Sequence, residues 1–267
     1  MMEKPDFGAP KVGRGTRNAA ERRAVGGTLH DPKAGATATP TALTRSCRRT
    51  DRESVRGLAV RLADPRAIPA CLRDHPEWVA DGMTRYYTDA EPESCFVAAG
   101  DSGVVGYVFG AVSTARRDRW VAARVLPGLV LRGLATGAGF RCPLGQMLRA
   151  GLRGWRRASA AKRGLRRSHP AHLHVGVCEG ARGRGVGRLL VSRFVEHAAN
   201  AGAPGIHASV IASNGPARRF FEQQGFHELR RYAAAFPGSP DPVPMILFGR
   251  RLTSKQDERA GRTGALG

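Results

Sequence analysis

AHLHVGVCEGARGRGVGRLLVSRFVEHAANAGAPGIHASVIASNGPARRFFEQQGF, running from Ala171 to Phe226, is the stretch that fixes how the rest of the chain is read. It has the pattern strand, glycine-rich turn, helix, strand, helix. Leu173 to Val177 is a short apolar strand preceded and interrupted by His172 and His174. Arg182-Gly183-Arg184-Gly185-Val186-Gly187 is the turn. A helix follows from Val186, because Val186, Leu190, Phe194 and Ala198 recur at near-helical spacing and Leu189 and Val195 widen the stripe. Asn200-Ala201-Gly202-Ala203-Pro204 stops it. Ile206 to Val210 is the next strand, and Ser213-Asn214-Gly215-Pro216 opens a second helix that ends at Gln224-Gly225.

A glycine-rich turn leading into a helix presents backbone N–H groups without intrahelical acceptors, at the positive end of the helix dipole. That combination binds phosphate or pyrophosphate. Gly183, Gly185 and Gly187 let a ligand approach the backbone, and Arg182 and Arg184 add positive charge. The spacing Gly183-x-Gly185-x-Gly187 is not the dinucleotide G-x-G-x-x-G pattern, and the Lys of a P-loop is missing.

The longer pattern is more specific. Arg182-x-x-Gly185-x-Gly187 with the apolar strand before it, followed by Asn214-x-x-Ala217-x-x-x-Phe221-Glu222-x-x-Gly225-Phe226, resembles the two cofactor motifs of the GNAT-type acyl-CoA N-acyltransferase family in order and spacing. The resemblance implies a mixed, mostly antiparallel α/β sheet flanked by helices, with a V-shaped opening between the strands at Leu173–Val177 and Ile206–Val210. It implies acetyl-CoA as co-substrate. The loop Arg182, Gly183, Arg184, Gly185, Val186 and Gly187 would hold its pyrophosphate. The backbone of Val175, Gly176 and Val177 would pair with the pantetheine arm, and Asn214 would support that arm or the loop. Phe221 stands where many relatives place a Tyr that protonates the departing thiolate, so this sequence departs from the family there. His172-Leu173-His174-Val175 also resembles the paired histidines of arylalkylamine N-acetyltransferases, with a register to Arg182 that differs by one residue. His has the neutral-range pKa of a general base, so His172 and His174 are the candidate catalytic residues. Tyr232 and Cys178 are the candidates to replace the missing acid.

The other residues bound the reading. The chain has 267 residues and a formal charge of +21, from 43 Lys and Arg against 22 Asp and Glu, which suits anionic partners: CoA, nucleic acid or an anionic membrane surface. No DNA-reading helix or RNA-binding aromatic motif accompanies that charge. Cys47, Cys71, Cys95, Cys142 and Cys178 are scattered and odd in number, which suits a reduced, cytoplasmic protein. No apolar run approaches a membrane span. His169, His172 and His174 lack an evident fourth metal ligand, so no metal is expected.

Residues 1–52 read as a disordered basic segment, 53–252 as the acyltransferase domain and 253–267 as a disordered tail. Val55 to Leu62 reads as a first strand, with a helix as the alternative. Asp64-Pro65 opens a helix to about Leu72, and His75 to Thr88 contains another. Cys95–Ala99 and Val104–Val112 form a hairpin, and His227–Ala234 and Pro244–Leu252 the last two strands. A basic helical insertion at 113–168 departs from the family. Thr114 to Ser168 holds 14 Arg and Lys and one acid, Asp118, with a helical stripe of Leu144, Leu148, Leu152 and Trp155. It reads as an acceptor-site lid, an anionic-substrate site, a membrane-surface contact, a dimer contact, or a helical pair covering the sheet edge. Three function classes remain: an N-acetyltransferase acting on a primary amine of an unidentified acceptor, a CoA-binding protein with little catalysis, and a basic nucleic-acid or membrane-surface binder.

Overall fold

The computed structural model describes residues 43–68, 72–100, 103–135, 164–235, 239 and 241–252. Seven strands form one sheet: β1 (Leu43–Ser46), β2 (Cys95–Gly100), β3 (Gly103–Ala111), β4 (Ala171–Val177), β5 (Gly205–Ile211), β6 (His227–Ala234) and β7 (Val243–Arg251). Their order is β1-β2-β3-β4-β5-β7-β6. Every neighbouring pair is antiparallel except β4 and β5, so the sheet is mixed and mostly antiparallel, as the sequence reading expects. The described helices are α1 (Arg52–Arg61), α2 (Pro76–Arg85), α3 (Thr114–Arg124), α4 (Leu126–Ala135), α5 (Leu165–Ser168), α6 (Val186–Asn200) and α7 (Gly215–Gln223).

Side-chain alternation along β3 and β4 sends residues to two separate cores. Val108 and Leu173 face α6, where Val186, Leu190, Val191, Phe194 and Ala198 are buried. Tyr107 and Phe109 face the other way, against Val55, Leu58 and Ala59 of α1 and against Tyr86 and Tyr87. The register pairs Tyr107 with Gly176, Phe109 with His174 and Ala111 with His172. His172, His174 and Gly176 therefore lie on the α1 face of the sheet.

Val55 to Leu62 is helical, which corrects the strand reading. Val55, Leu58 and Ala59 fall three and four residues apart on one buried stripe. Arg56 is also buried, because Asp81 of α2 accepts a 2.7 Å hydrogen bond from its Nη1. The helix read from Asp64-Pro65 is shortened to a 3₁₀ turn, Pro65–Ala67, whose N–H at Arg66 is capped by the Asp64 carboxylate. The helix read over His75 to Thr88 is α2, continued by a wide π-type turn at Tyr86–Ala90. Gly100 pairs with Gly103 and closes the expected hairpin.

The leader boundary moves. Residues 43–46, inside the segment read as disordered, form β1 on the sheet edge, and Asp51 ties it down by accepting from Arg45 and from the Arg48 N–H. Leu-Thr-Arg-Ser has no apolar alternation, so only the antiparallel pairing with β2 makes it a strand. Residues 1–42 and 253–267 lie outside the described residues, as does the Leu144, Leu148, Leu152 and Trp155 stripe. Within 113–168, α3 and α4 pack on α2 and its terminal turn. Trp120 meets Tyr86 edge-on at 5.5 Å, and Arg132 donates to Asp81 at 2.8 Å. Arg116, Arg119 and Arg124 lie exposed on α3.

Gly110 is the tightest joint between layers, since a Cβ there would collide with the His172 carbonyl and the Phe194 ring. Gly128, in α4, would meet nothing within 4 Å. Gly110→Ala is expected to cost about 1–3 kcal/mol by overpacking, and Gly128→Ala to be neutral or to stabilise by up to about 1 kcal/mol. Urea unfolding of the two variants checks this. Equal stabilities would contradict the assigned packing.

Candidate functional site

β4 and β5 form ladder pairs only at Ala171↔Ile206 and His172↔His207. Beyond them the strands part, which leaves the β5-facing edge of 173–177 without a strand partner among the described residues. The opening is the one expected between Leu173–Val177 and Ile206–Val210. Val175, Gly176 and Val177 line its β4 side and are partly exposed.

At the end of β4 the chain turns through Glu179–Ala181 into the glycine loop. Gly183 and Gly185 have φ of 73° and 75°, a left-handed conformation that favours glycine, and a Cβ at either would meet nothing within 4 Å. Gly185 is the N-cap of α6 and supplies no side-chain cap. The first-turn N–H groups of a 15-residue helix therefore have no side-chain cap. Gly187 serves another purpose, because a Cβ there would sit 3.1 Å from the Phe220 ring of α7. Arg182 folds back and donates from Nε to the Val177 carbonyl at 3.2 Å, fastening the loop to β4. Arg184 is exposed, and Val186 is buried in the first turn of α6. The loop thus brings together backbone donors, a helix N-terminus and an exposed guanidinium, a set fitted to a pyrophosphate.

Asn214 caps α7, its Oδ1 accepting from the Ala217 N–H at 3.0 Å. Phe221 is buried among Phe220, Phe226 and Phe248, with ring centroids 5.3 Å from Phe226. Gly176 is held to glycine by packing, since a Cβ would lie 2.7 Å from Tyr107 Cζ and 2.9 Å from Leu62 Cδ1. Tyr232 is in a cluster with Ile211, Ala234, Val243 and Met245, and its hydroxyl donates to Ser209 at 3.1 Å. Phe221 belongs to the α6 core, so Tyr232 is not beside it.

The two candidate histidines occupy different surroundings. His172 is half-buried, with Nε2 2.7 Å from the Tyr87 hydroxyl and Nδ1 3.2 Å from Thr114 Oγ1. His174 is exposed at its edge and stacks on Phe109 at 5.3 Å. Protein crowds the rest of that ring, and this desolvation takes its pKa down to about 4. The exposed edge softens the loss of water, so the direction is what the chemistry uses: His174 is neutral at pH 7. His169 is buried at the foot of β4, and desolvation, with His227 and Arg251 adding to it, lowers its pKa as well. Among the described residues no group of three or more His, Cys, Asp or Glu side chains is arranged to hold a metal ion. No described helix is long and apolar enough to cross a membrane.

Sequence reasoning missed Tyr87, Thr114 and His207. Tyr87 stands 85 positions from His172 and Thr114 stands 58, so no local spacing joins them. His207 is the imidazole inside the Ile206–Val210 run. It is buried, with Nδ1 donating to the His169 carbonyl at 2.9 Å, and its ring lies 5.8 Å from that of His172.

Comparison with known proteins gives this geometry a family. Residues 67–226, well over half the chain, match the Acetyltransferase (GNAT) family. The chain belongs to that family. It is similar to the crystal structure of SsHAT, with 27% identity, a TM-score of 0.56, and coverage of 80% of this chain and 100% of that one. It also shares its fold with a crystallised acetyltransferase at 15% identity and a TM-score of 0.50, over 79% of this chain and 100% of that one.

The lowered histidine pKa values give a pH dependence with a definite sign. The folded chain holds fewer protons on His174 and His169 than the unfolded chain does, whose histidines titrate near 6.5. Their contribution to stability is complete above that value and is lost on acidification, for His174 as the pH falls toward about 4. Denaturant midpoints are therefore expected to drop between pH 7.5 and pH 5, with a shallower drop in His174→Gln. A midpoint that holds or rises on acidification would contradict this.

Proposed function

We propose that this GNAT-family chain is an acetyl-CoA-dependent N-acetyltransferase that moves an acetyl group to a primary amine by direct attack. The observation that carries the reading is the early parting of β4 and β5 beside a left-handed glycine loop and an uncapped helix start. A thioester with a long polar arm and a pyrophosphate matches both features. The arm would lie along the unpaired edge of Val175, Gly176 and Val177. The pyrophosphate would sit on the N–H groups from Gly183 to Gly187, with Arg184 beside it and Arg182 fastening the loop. Asn214 would act through the cap of α7.

In the transfer, the amine nitrogen bonds to the thioester carbon, the C–S bond breaks, and one amine proton must leave. His174 is the residue proposed to receive it, directly or through water: it is neutral at pH 7, has an exposed edge and lies on the α1 face of β4. Phe221 has no proton to give the sulfur. A CoA thiol resembles Cys, with a pKa of about 8.5, so it leaves tolerably without an acid. General acid catalysis is typically worth about 10²–10⁴-fold. Phe221 thus favours slow turnover over none, and it is also the observation behind a second reading, a CoA-binding protein with little catalysis. The compartment and the acceptor are open proposals: a reduced, cytoplasmic setting, and a small amine or a protein amine.

Release of CoA thiol, followed with a thiol reagent across a panel of primary amines, separates these readings. The enzyme reading predicts turnover with at least one amine and a loss of about 100-fold in His174→Gln with unchanged acetyl-CoA affinity. Phe221→Tyr is expected to leave affinity alone and raise turnover at least slightly. A clear fall in turnover on that substitution would count against the assigned geometry. Tight acetyl-CoA binding without thiol release from any amine would favour the second reading.

A further inference from the structure

The half-buried His172 of β4 is tied to two other elements at once. Its Nε2 lies 2.7 Å from the Tyr87 hydroxyl, in the turn that ends α2, and its Nδ1 lies 3.2 Å from Thr114 Oγ1, at the start of α3. The donor inventory orients the whole chain of contacts. Thr114 Oγ1 is 2.8 Å from the Pro170 carbonyl, which can only accept, so the single hydroxyl proton of Thr114 points there. Thr114 Oγ1 then meets Nδ1 as an acceptor, and Nδ1 must carry the proton. In the neutral ring Nε2 is then left with its lone pair, and the Tyr87 hydroxyl donates to it. The Arg117 guanidinium, which can only donate, faces the Tyr87 oxygen and agrees with that direction. The Thr114 N–H also donates to the Pro170 carbonyl, at 2.9 Å, which holds α3 against the foot of β4.

Tyr87 supports the second histidine by a different route. Its ring stacks on Phe109 at 4.5 Å, and Phe109 stacks on His174 at 5.3 Å. The hydroxyl serves one histidine, and the ring supports the other.

We propose that the Tyr87 hydroxyl caps the His172 Nε2 lone pair and, with Thr114, locks that ring as the Nδ1–H tautomer, so that His172 is a positioning residue and His174 is the imidazole offered to the acceptor. This deepens the acetyltransferase reading and rests on it for its catalytic half alone. The lock itself is a property of the folded chain and needs no substrate. Tyr87→Phe is the discriminating variant, because it keeps the ring that stacks on Phe109 and deletes only the donor.

Long-range proton–nitrogen NMR of the ¹⁵N-histidine-labelled full chain, with His172→Gln to assign the signal, reads the tautomer directly. The parent is expected to show His172 as Nδ1–H, and Tyr87→Phe to shift it to a mixture of tautomers. An Nε2–H ring in the parent, or a signal unchanged by Tyr87→Phe, overturns the proposal. Should Tyr87→Phe fail to fold, Thr114→Val removes the acceptor for Nδ1–H and is expected to shift the same signal, with no shift counting against the lock. The kinetic consequence is read from the amine panel. The roughly 100-fold penalty of His174→Gln should shrink by about tenfold in the Tyr87→Phe background, because the uncapped Nε2 becomes a second base. An undiminished penalty contradicts the division of roles. A locked tautomer in a chain that releases no CoA would sink the acetyltransferase reading while leaving the lock standing.

Discussion

β4 and β5 can pair for only two residues, and the rest of the molecule is arranged around that fact. Ala171 and His172 meet Ile206 and His207, and then the strands diverge. A parallel pair that stops so early leaves a row of backbone donors and acceptors on β4 facing an opening. Unpaired backbone groups are costly when buried without partners, so such an edge belongs beside solvent or a ligand. The sheet is kept from closing by its flanks. β3 pairs with β4 from His172 to Val177 on one side, and β7 pairs along the whole length of β5 on the other. Each half is an ordinary antiparallel unit, and the gap is where they disagree.

The same divergence places the glycine loop. β4 runs out at Val177, Arg182 folds back to hold its last carbonyl, and Gly185 starts α6 with its N–H groups beside the opening. α6 is anchored by Leu190, Val191 and Phe194, which are wholly buried, so the loop stands on rigid ground. On the opposite face, the turn that ends α2 and the start of α3 meet His172, and α1 packs on Tyr107 and Phe109, the rings that stack on His174. α3 contributes Thr114 and Arg117 there, so it is part of the support for His172 as well as a basic surface.

What the sequence displayed and what it concealed divide along a physical line. Gly183, Gly185 and the Val186–Leu190–Phe194 stripe advertise themselves, because backbone conformation and helix period are local properties. The opening was legible only through the order of the motifs. Leu43–Ser46 was not legible at all, since its pairing partner, β2, lies about fifty positions away and the segment has no apolar period of its own. Val55 to Leu62 is ambiguous as a short apolar run, and its helical state is decided by the stripe that meets Tyr107 and Phe109. The histidines were visible as residue types, but their roles were not. The difference between a capped His172 and an exposed His174 is made by Tyr87 and Thr114, which come from other elements. Gly176 and Gly187 read as ligand-facing glycines, and in the fold they also make room for Tyr107 and Phe220.

The central claim is that the opening and its loop bind an acyl-CoA. The most direct test is a calorimetric titration of the full chain with acetyl-CoA beside Gly185→Glu, in low and in moderate salt. That variant puts a negative side chain and a strained φ at the helix start and leaves both cores untouched. The account predicts saturable binding by the parent at both salt concentrations and its loss in the variant. No binding by either chain, or equal binding by both, would contradict it.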